Sequence, residues 1–346
     1  MNFLSDNVWG AWPEMFSAIE VAAGGPQLSY GEDEISARVE ARFCEVFERR
    51  LRVFPVISGT AANALGLATL MPGHGVAFCR EGSHIAVDEC GATEFYTQGA
   101  RLMTLPGRDG KLSPNEISAA LAHFQRGLVH HLQPAAISIT QASEVGTVYS
   151  QAEVSGIAEL ARANGLKLHM DGARIANALA HLNCTPAEAT WKAGVDVLSF
   201  GATKGGALGA EAVVFFDPDD VGDFEYRRKR AGHLASKMRF VSAQLEAYLA
   251  EDRWLARAKR ANACARRLAE GIARANGAEL AHPVQSNAVL VRLPDKMVAR
   301  LRAEGARFYD WEPSSSGRTL VRLVTSFATP EEDIARLVAL ASNGSV

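Results

Sequence analysis

The sequence has few cysteines, and they show no pairing pattern. Its five cysteines among 346 residues are scattered, and no two of them form a CxxC pair. That pattern is not typical of a disulfide-stabilised secreted domain, and it indicates reduced thiols in a cytoplasmic protein. None of the cysteines lies in a sequence context typical of a nucleophile. We therefore expect no metal site and no catalytic cysteine.

Long apolar runs and an excess of charge of one sign are also missing. The apolar runs are far shorter than the roughly 20 residues that span a bilayer. Residues 1–10 lack the basic segment and apolar stretch of a secretory signal. The net charge is −3 with both signs interspersed, so we expect no nucleic-acid or membrane partner. A content of 48% hydrophobic and 22% charged residues is typical of a soluble globular protein, and the length indicates about two domains.

Strand and helix patterns alternate through the middle of the chain. Predicted strands lie at residues 135–139, 166–170, 195–200 and 211–216. Predicted helices begin at the capping sequences SPNE (113–116) and TPAE (185–188), and another spans residues 154–164. This alternation predicts parallel βα units, in which ligands bind at the carboxyl ends of the strands.

The pattern changes after about residue 240. Residues 245–275 predict one long helix, residues 287–293 and 319–327 predict strands, and a last amphipathic helix follows Thr329. The predicted fold class is therefore α/β, with a mainly parallel central sheet flanked by helices and a small C-terminal α+β domain. The predicted boundaries are 1–240 for an N-terminal arm with the large domain and 241–346 for the small domain.

Two segments place an ionisable residue where a predicted strand ends. The first is HMDGAR (169–174), which offers the Asp171 carboxylate, and the second is SFGATKGG (199–206), which offers the Lys204 amine. Pyridoxal phosphate (PLP) needs an aspartate for its pyridine nitrogen and a lysine for a Schiff base. The small residues around Lys204 leave room for a flat ring. The pair therefore favours a PLP enzyme.

The segment SGTAAN (58–63) follows a strand-like run and precedes a helix. A turn of small residues at a helix N-terminus presents backbone N–H groups and the positive end of the helix dipole, which suits a phosphate. Gly59 and Thr60 are the candidate phosphate ligands. A simple N-cap with a glycine turn is the alternative, but the Asp171 and Lys204 pair favours the phosphate interpretation.

Four other residues are candidates, and three of them have an open alternative. His84 is placed to stack on a pyridine ring, although a structural histidine is the more common case. Arg174 lies near the same strand end as Asp171 and is a candidate for the ring oxygen or a substrate carboxylate. Arg322 is a charged residue in an apolar strand, where it either binds a carboxylate ligand or forms a structural salt bridge. Arg239 is a candidate for the phosphate.

Taken together, these motifs resemble the low-specificity L-threonine aldolases, which belong to the PLP enzymes of fold type I. The resemblance covers nearly the whole chain. Its carriers are SDN (5–7), YGED (30–33), SGTAAN (58–63), His84, HMDGAR (169–174), Lys204 and RLVT (322–325). The resemblance implies a homotetramer built as a dimer of dimers, with active sites at the dimer interface.

The resemblance also implies roles for cofactor-binding residues. Lys204 matches the lysine that binds PLP covalently, and Asp171 matches the partner of the pyridine nitrogen. Gly59 and Thr60 match the phosphate loop. Arg239 matches a phosphate-binding arginine from the neighbouring subunit.

Further roles concern the substrate. His84 matches the histidine that stacks on the cofactor ring and approaches the β-hydroxyl. Ser5, Arg174 and Arg322 match the groups that hold the substrate carboxylate. Tyr30 matches a tyrosine that reaches in from the partner subunit.

One departure from the family pattern concerns the segment QASEVGT (141–147). Many family members carry a second active-site histidine here, and we align that histidine with Glu144. A subgroup of bacterial aldolases shares this glutamate form. The difference leaves open the threo/erythro selectivity and the identity of the base.

The expected activity is retro-aldol cleavage of L-threonine, L-allo-threonine and related substrates such as phenylserine to glycine and an aldehyde. The nearest alternative is another PLP-dependent lyase that catalyses β-elimination. A nucleotide-dependent oxidoreductase is disfavoured because no GxGxxG turn follows the first strand. A non-catalytic PLP-binding protein is disfavoured because Lys204, Asp171 and Arg322 are all present.

Overall fold

A seven-stranded sheet forms the centre of the larger domain in the computed structural model, which describes residues 1–342. Its strands are β1 (Arg52–Val56), β2 (Gly75–Arg80), β3 (Arg101–Leu105), β4 (Gln133–Thr140), β5 (Lys167–Gly172), β6 (Val197–Gly201) and β7 (Glu211–Phe215). They lie in the order β1-β7-β6-β5-β4-β2-β3. Only β7 runs antiparallel to its neighbours in this sheet. The prediction of a mainly parallel sheet is thus confirmed.

Eleven helices of the described chain precede residue 250 and surround this sheet. They are α1 (Pro13–Ala22), α2 (Glu34–Val46), α3 (Gly59–Leu70), α4 (His84–Val87), α5 (Ala92–Tyr96), α6 (Pro114–Leu121), α7 (Gln151–Ala163), α8 (Ile175–Leu182), α9 (Pro186–Ala189), α10 (Phe224–Arg230) and α11 (Arg239–Leu249). The capping boxes at Ser113 and Thr185 are present, although α9 is only one turn long. Among the residues described, no helix is both long and apolar enough to cross a membrane.

Helix α3 is deeply buried, because most of its residues are small or apolar. All residues from 61 to 68 are buried. Alanine and Gly66 allow it to pack closely on β6 and β7, where a Cβ at Gly66 would already contact Val197 and Val213. This packing holds the N-terminus of α3 at the same edge of the sheet as the ends of β5 and β6.

The buried His169 ties three central strands together. Its Nδ1 lies 2.8 Å from Ser138 Oγ on β4, and its Nε2 lies 2.9 Å from Ser199 Oγ on β6. Burial lowers the pKa of His169 to about 4, so the ring is neutral at pH 7. It thereby fixes β5, and with it Asp171, between its neighbours.

A four-stranded antiparallel sheet forms the smaller domain. Its strands are β8 (Glu279–Leu280), β9 (Ala288–Pro294), β10 (Tyr309–Ser315) and β11 (Arg318–Val324), in the order β10-β11-β9-β8. Three helices accompany it, α12 (Arg253–Ile272), α13 (Asp295–Ala303) and α14 (Glu331–Ser342). Phe3 from the N-terminal segment is part of this domain's apolar core, so the start of the chain is fastened to the small domain.

The predicted single helix over residues 245–275 is wrong. It is interrupted at Ala250–Asp252, where Glu251 and Asp252 have φ angles of 55° and 53°. The interruption lets α11 pack in the large-domain core while α12 turns to pack along α8, with Asn262 bonded to Asn177. Local sequence favours helix throughout, and these long-range contacts decide where it breaks.

Helix α12 contributes to both apolar cores. Trp254 and Ala258 near its start pack in the large-domain core, whereas Leu268 and Ile272 near its end pack in the small-domain core. We propose that α12 is the connection between the domains, and the boundary at residue 240 stays a prediction.

Candidate active site

A cleft lies where the N-terminal segment and the two domains meet. The residues that line it are Ser5, Asn7, His84, Asp88, Thr140, Ala142, Glu144, Asp171, Ala173, Arg174, Lys204, Trp311 and Arg322. The predicted site residues brought together here are Ser5, His84, Glu144, Asp171, Arg174, Lys204 and Arg322. Gly59, Thr60, Tyr30 and Arg239 are not part of this lining.

Asp171 is buried and held by two donors. It lies inside β5 rather than after it, and it is in register with Ser199 on the neighbouring β6. The backbone N–H of Ala173 donates to its Oδ1 at 2.9 Å, and Asn63 Nδ2 donates to its Oδ2 at 2.8 Å. A buried carboxylate needs such partners, and this one is suited to a pyridine nitrogen of PLP.

Lys204 lies in the turn after β6, and its amine has no hydrogen bond or ion pair within residues 1–342. Its neighbours Gly205 and Gly206 are small for a reason that the sequence did not reveal. A Cβ at Gly205 would collide with Tyr248, and one at Gly206 would collide with Trp12. The missing side chains at Gly205 and Gly206 thus leave space for the rings of Tyr248 and Trp12 beside the turn that carries Lys204.

A buried carboxylate, Glu211, lies beneath the turn that carries Lys204. The backbone N–H of Ala202 donates to its Oε2 at 3.1 Å. Burial raises the pKa of Glu211 to about 7, although Lys204 counteracts the rise. The carboxyl therefore titrates close to neutral pH.

His84 opens α4 and is held by a second buried carboxylate. Its Nδ1 lies 2.8 Å from Glu89 Oε1. This hydrogen bond raises the pKa of His84 above its ordinary value, despite burial. The same oxygen of Glu89 accepts from Asn63 Nδ2 at 2.8 Å, so His84 and Asp171 are connected through two side chains.

Arg174 is committed to an ion pair with a residue of the N-terminal segment. Its Nε and Nη2 donate to the two carboxylate oxygens of Asp6 at 2.8 Å each. Asn287 Nδ2 also donates to Asp6, at 3.0 Å. Burial opposes the charge of Asp6, but Arg174 more than compensates and lowers the pKa of Asp6. The Nη1 nitrogen of Arg174 and the second hydrogen of Nη2 are left for a ligand.

Arg322 has no anionic partner within the described residues. Its guanidinium carbon lies 4.7 Å from the ring centroid of Trp311 and 5.9 Å from that of Tyr309. Its Nε is buried without a hydrogen bond. Burial lowers the pKa of Arg322 to about 10, and the nearby Arg174 adds to the effect. The salt-bridge alternative for Arg322 is therefore not realised, and a carboxylate ligand would satisfy it.

Ser5 and Glu144 both line the cleft. Ser5 Oγ caps a short 3₁₀ turn by accepting from the Asn7 N–H at 3.2 Å. Glu144 Oε1 accepts from the backbone N–H of His84 at 2.9 Å and from Thr140 Oγ1 at 2.8 Å. Burial raises the pKa of Glu144. Glu144 thus anchors the start of the helix that carries His84.

The predicted phosphate turn forms the first turn of α3. Ser58 is its N-cap and accepts from the Ala61 N–H at 3.3 Å, so the capping interpretation is correct. A capped helix start can still bind a phosphate, because no other described atom lies within 4 Å of the position that a Cβ on Gly59 would take. Gly59 and Asn63 are separated by about 6 Å along the helix axis. One helix therefore places Gly59 and Thr60 within a turn of the residue that contacts Asp171.

Tyr30 and Arg239 lie on a different surface from the cleft. The Tyr30 N–H donates to the Ser236 carbonyl at 3.0 Å, which brings Tyr30 close to the segment that precedes Arg239. Arg239 Nη1 donates to the Gly25 carbonyl at 3.2 Å. Tyr30 is 45% exposed. Neither residue lines the cleft of this subunit.

Several residues of the site received no role from the sequence, and four of them contact predicted site residues. Asp6 and Asn63 lie inside the SDN and SGTAAN segments but received no role. Glu89 follows His84 closely and carried no signal of its own. Trp311 is an aromatic residue on an edge strand, and nothing in the sequence placed it beside Arg322.

Comparisons with known proteins agree with this geometry. The family model described as beta-eliminating lyase matches residues 2–295. A low specificity L-threonine aldolase of Pseudomonas sp. strain NCIMB 10558 is 42% identical over 337 residues, covering 97% of this chain and 96% of that protein. One from Pseudomonas aeruginosa is 45% identical over 307 residues, covering 89% of this chain and 88% of that protein. The structure of a Leishmania major threonine aldolase superimposes with a TM-score of 0.93 at 27% identity, covering 99% of this chain and 98% of that one.

Proposed function

Because the chain belongs to the beta-eliminating lyase family, we propose that it is a PLP-dependent L-threonine aldolase. The resemblance that its motifs indicated is confirmed by the aldolase relatives. The reaction is the cleavage of L-threonine, L-allo-threonine and related L-β-hydroxy-α-amino acids to glycine and an aldehyde. The observation that carries this proposal is the meeting of Asp171, Lys204 and Arg322 in one cleft. The Asp171 carboxylate is buried, and the Lys204 amine and the Arg322 guanidinium have no ionic partner within residues 1–342.

The residues present fit PLP. Asp171 would hold the pyridine nitrogen, Lys204 the aldehyde carbon, and the N–H groups at Gly59 and Thr60 the phosphate. When bound, PLP supplies an electron sink that takes up the electron pair of the Cα–Cβ bond as this bond breaks. An adjacent carboxylate favours the protonated pyridine, which makes Asp171 the residue that strengthens this sink.

The substrate is held and deprotonated by the chain's own side chains. Arg322 would bind the carboxylate in a two-point contact, with Ser5 close by. The substrate hydroxyl must lose a proton as the bond breaks. His84 is the ring beside the cleft that can accept it, directly or through a water molecule. The ring of Trp311 lies against the Arg322 guanidinium in the cleft lining.

Elimination at Cβ is the second candidate, because the matching family is described by that chemistry. The products separate the two reactions. Aldol cleavage gives glycine and an aldehyde, whereas β-elimination gives ammonia and a 2-oxo acid. Both need Asp171 and Lys204, so these two residues do not discriminate between them.

The direct test incubates the purified protein with PLP and either L-threonine or L-phenylserine. We expect glycine together with acetaldehyde or benzaldehyde, and Lys204→Ala should reduce the rate by more than about 1,000-fold. Lys192→Ala, at a surface lysine paired with Glu48, is the control and should retain the rate. Ammonia and a 2-oxo acid without glycine would assign elimination instead.

We also propose that the enzyme is a homotetramer, a dimer of dimers in which Tyr30 and Arg239 complete the partner's site. Their position on one surface away from the cleft supports this. A mixture of Lys204→Ala and Arg239→Ala subunits should then regain activity, because one site of each mixed dimer has both residues intact. Activity no higher than that of the separate variants would reject the shared site. The cytoplasmic location stays a prediction.

A further inference from the structure

We propose that Glu89 is the positioning residue for His84 and that Asn63 links Glu89 to Asp171. One chain of hydrogen bonds then orients both His84 and Asp171. This inference rests on the proposed function, because it assigns how the histidine and the cofactor-binding carboxylate are kept in register. Neither Glu89 nor Asn63 was given a role by the sequence motifs.

The chain of hydrogen bonds consists of three contacts of equal length. His84 Nδ1 lies 2.8 Å from Glu89 Oε1, Asn63 Nδ2 lies 2.8 Å from the same oxygen, and Asn63 Nδ2 lies 2.8 Å from Asp171 Oδ2. The Glu89 side chain is 0% exposed. Asn63 and Asp171 are buried as well. Low solvent access makes the two bonds that Asn63 donates stronger than equivalent surface contacts, whereas the His84 side chain is 39% exposed.

Asn63 suits its place because an amide nitrogen carries two hydrogens. It donates one hydrogen to Glu89 Oε1 and the other to Asp171 Oδ2, and so lies between the two carboxylates. A serine or threonine at this position has a single donor and serves only one of them. The helix α3 that carries Asn63 is packed on β6 and β7, so the donor is held in place by the core.

Glu89 decides which nitrogen of His84 is available. A carboxylate accepts a hydrogen bond, so it holds the proton on Nδ1 and leaves Nε2 as the acceptor nitrogen. Nε2 is then the atom that can take a proton from a substrate hydroxyl. The charged groups that act on the ring are Glu89, Asp171 and Lys204, and Glu144 accepts from its backbone N–H.

The experiment compares holoenzyme of wild type and Glu89→Gln, with ¹⁵N-labelled histidine and His84→Asn to identify the His84 signals. In the wild type we expect the Nδ1–H tautomer and a pKa above the ordinary histidine value. In Glu89→Gln, which keeps the shape but loses the charge, the pKa should fall and the two tautomers should mix. The value of kcat should fall by about 10- to 100-fold with little change in KM.

Three further variants test the interpretation. Glu89→Asp keeps the charge and should recover part of kcat and the Nδ1–H tautomer even if Glu89→Gln is poorly folded. Glu81→Gln removes an exposed glutamate from the same segment and should change neither. Asn63→Ala should alter the pH dependence of the bound cofactor's visible absorbance, because Asp171 loses a donor.

The outcomes separate the two proposals. If wild type forms glycine but Glu89→Gln keeps the tautomer, the pKa and kcat of His84 unchanged, the positioning role is rejected and the aldolase function stands. If wild type forms no glycine from any β-hydroxy amino acid, the aldolase function is rejected. In that case, a tautomer change in Glu89→Gln would still support the contact between Glu89 and His84.

Discussion

Arg174 and Asp6 form a two-point ion pair, with the guanidinium Nε and Nη2 each 2.8 Å from a carboxylate oxygen. Their side chains are 15% and 2% exposed. Arg322 lines the same cleft without such a partner and packs on Trp311. The two arginines, which have the same expected role, therefore differ in their availability to a substrate carboxylate. Arg174 is already paired with Asp6, whereas Arg322 has no anionic partner within residues 1–342.

The first prediction concerns Arg322. Arg322→Ala should raise the KM for L-threonine by at least about 30-fold, because losing a buried charge partner costs about 2–5 kcal/mol. Steady-state kinetics of glycine release measure this. Arg318→Ala on the same strand is the control, since Arg318 contacts Gly277 and Glu279 outside the cleft. An unchanged KM in Arg322→Ala would show that another group binds the carboxylate.

Asp6 provides a prediction about stability. Asp6→Asn should lower the free energy of unfolding by about 3–5 kcal/mol at neutral pH, because it leaves the buried Arg174 charge unpaired. Arg174 lowers the pKa of Asp6, so this stabilisation is present above the unfolded-state pKa and is lost as pH falls through the folded-state value. Denaturation at pH 7 and below pH 4 checks both.

The control for Asp6 is Asp310→Asn. Asp310 pairs with Arg302 at the surface, and such pairs contribute less than about 1 kcal/mol. Equal losses from Asp6→Asn and Asp310→Asn would contradict the structural importance of the buried pair.

Glu211 has the opposite sign of pH dependence. Burial raises the pKa of Glu211 from 4.5 to about 7. The contribution of its protonated carboxyl to the stability of the folded state is therefore present below about pH 4.5 and is lost as pH rises through 7. Glu211→Gln should therefore gain stability relative to wild type between pH 5 and pH 8, by up to roughly 3 kcal/mol. Thermal midpoints across that range measure it, with Glu81→Gln as control. A constant difference at all pH values would refute the shifted titration.

Glu144 provides a prediction about anchoring. Glu144→Ala leaves the His84 N–H and Thr140 hydroxyl without their acceptor, which costs about 1–3 kcal/mol and should reduce kcat by about 5- to 100-fold. Glu144→Gln keeps an acceptor oxygen and should retain most of kcat. Kinetics with threo and erythro substrates would measure both. An equal loss in the two variants would indicate that Glu144 transfers a proton rather than anchoring α4.

Local patterns in the sequence determined the architecture of the sheet and the two central residues of the site. Buried runs flanked by capping signals predict parallel strands wherever they occur, and a residue at the carboxyl end of such a strand must face the ligand-binding edge. Asp171, Lys204 and the first turn of α3 were predictable for that reason. The motifs around them also indicated the family.

The tertiary structure alone decided which charges are paired and which remain available. Asp6 and Arg174 are 168 positions apart in the chain, and Asn63 and Asp171 are 108 apart, so no local pattern relates them. The break between α11 and α12 likewise follows from docking on α8 rather than from helix propensity. Burial and hydrogen-bond partners set the protonation and orientation of a side chain, and both are properties of the folded neighbourhood.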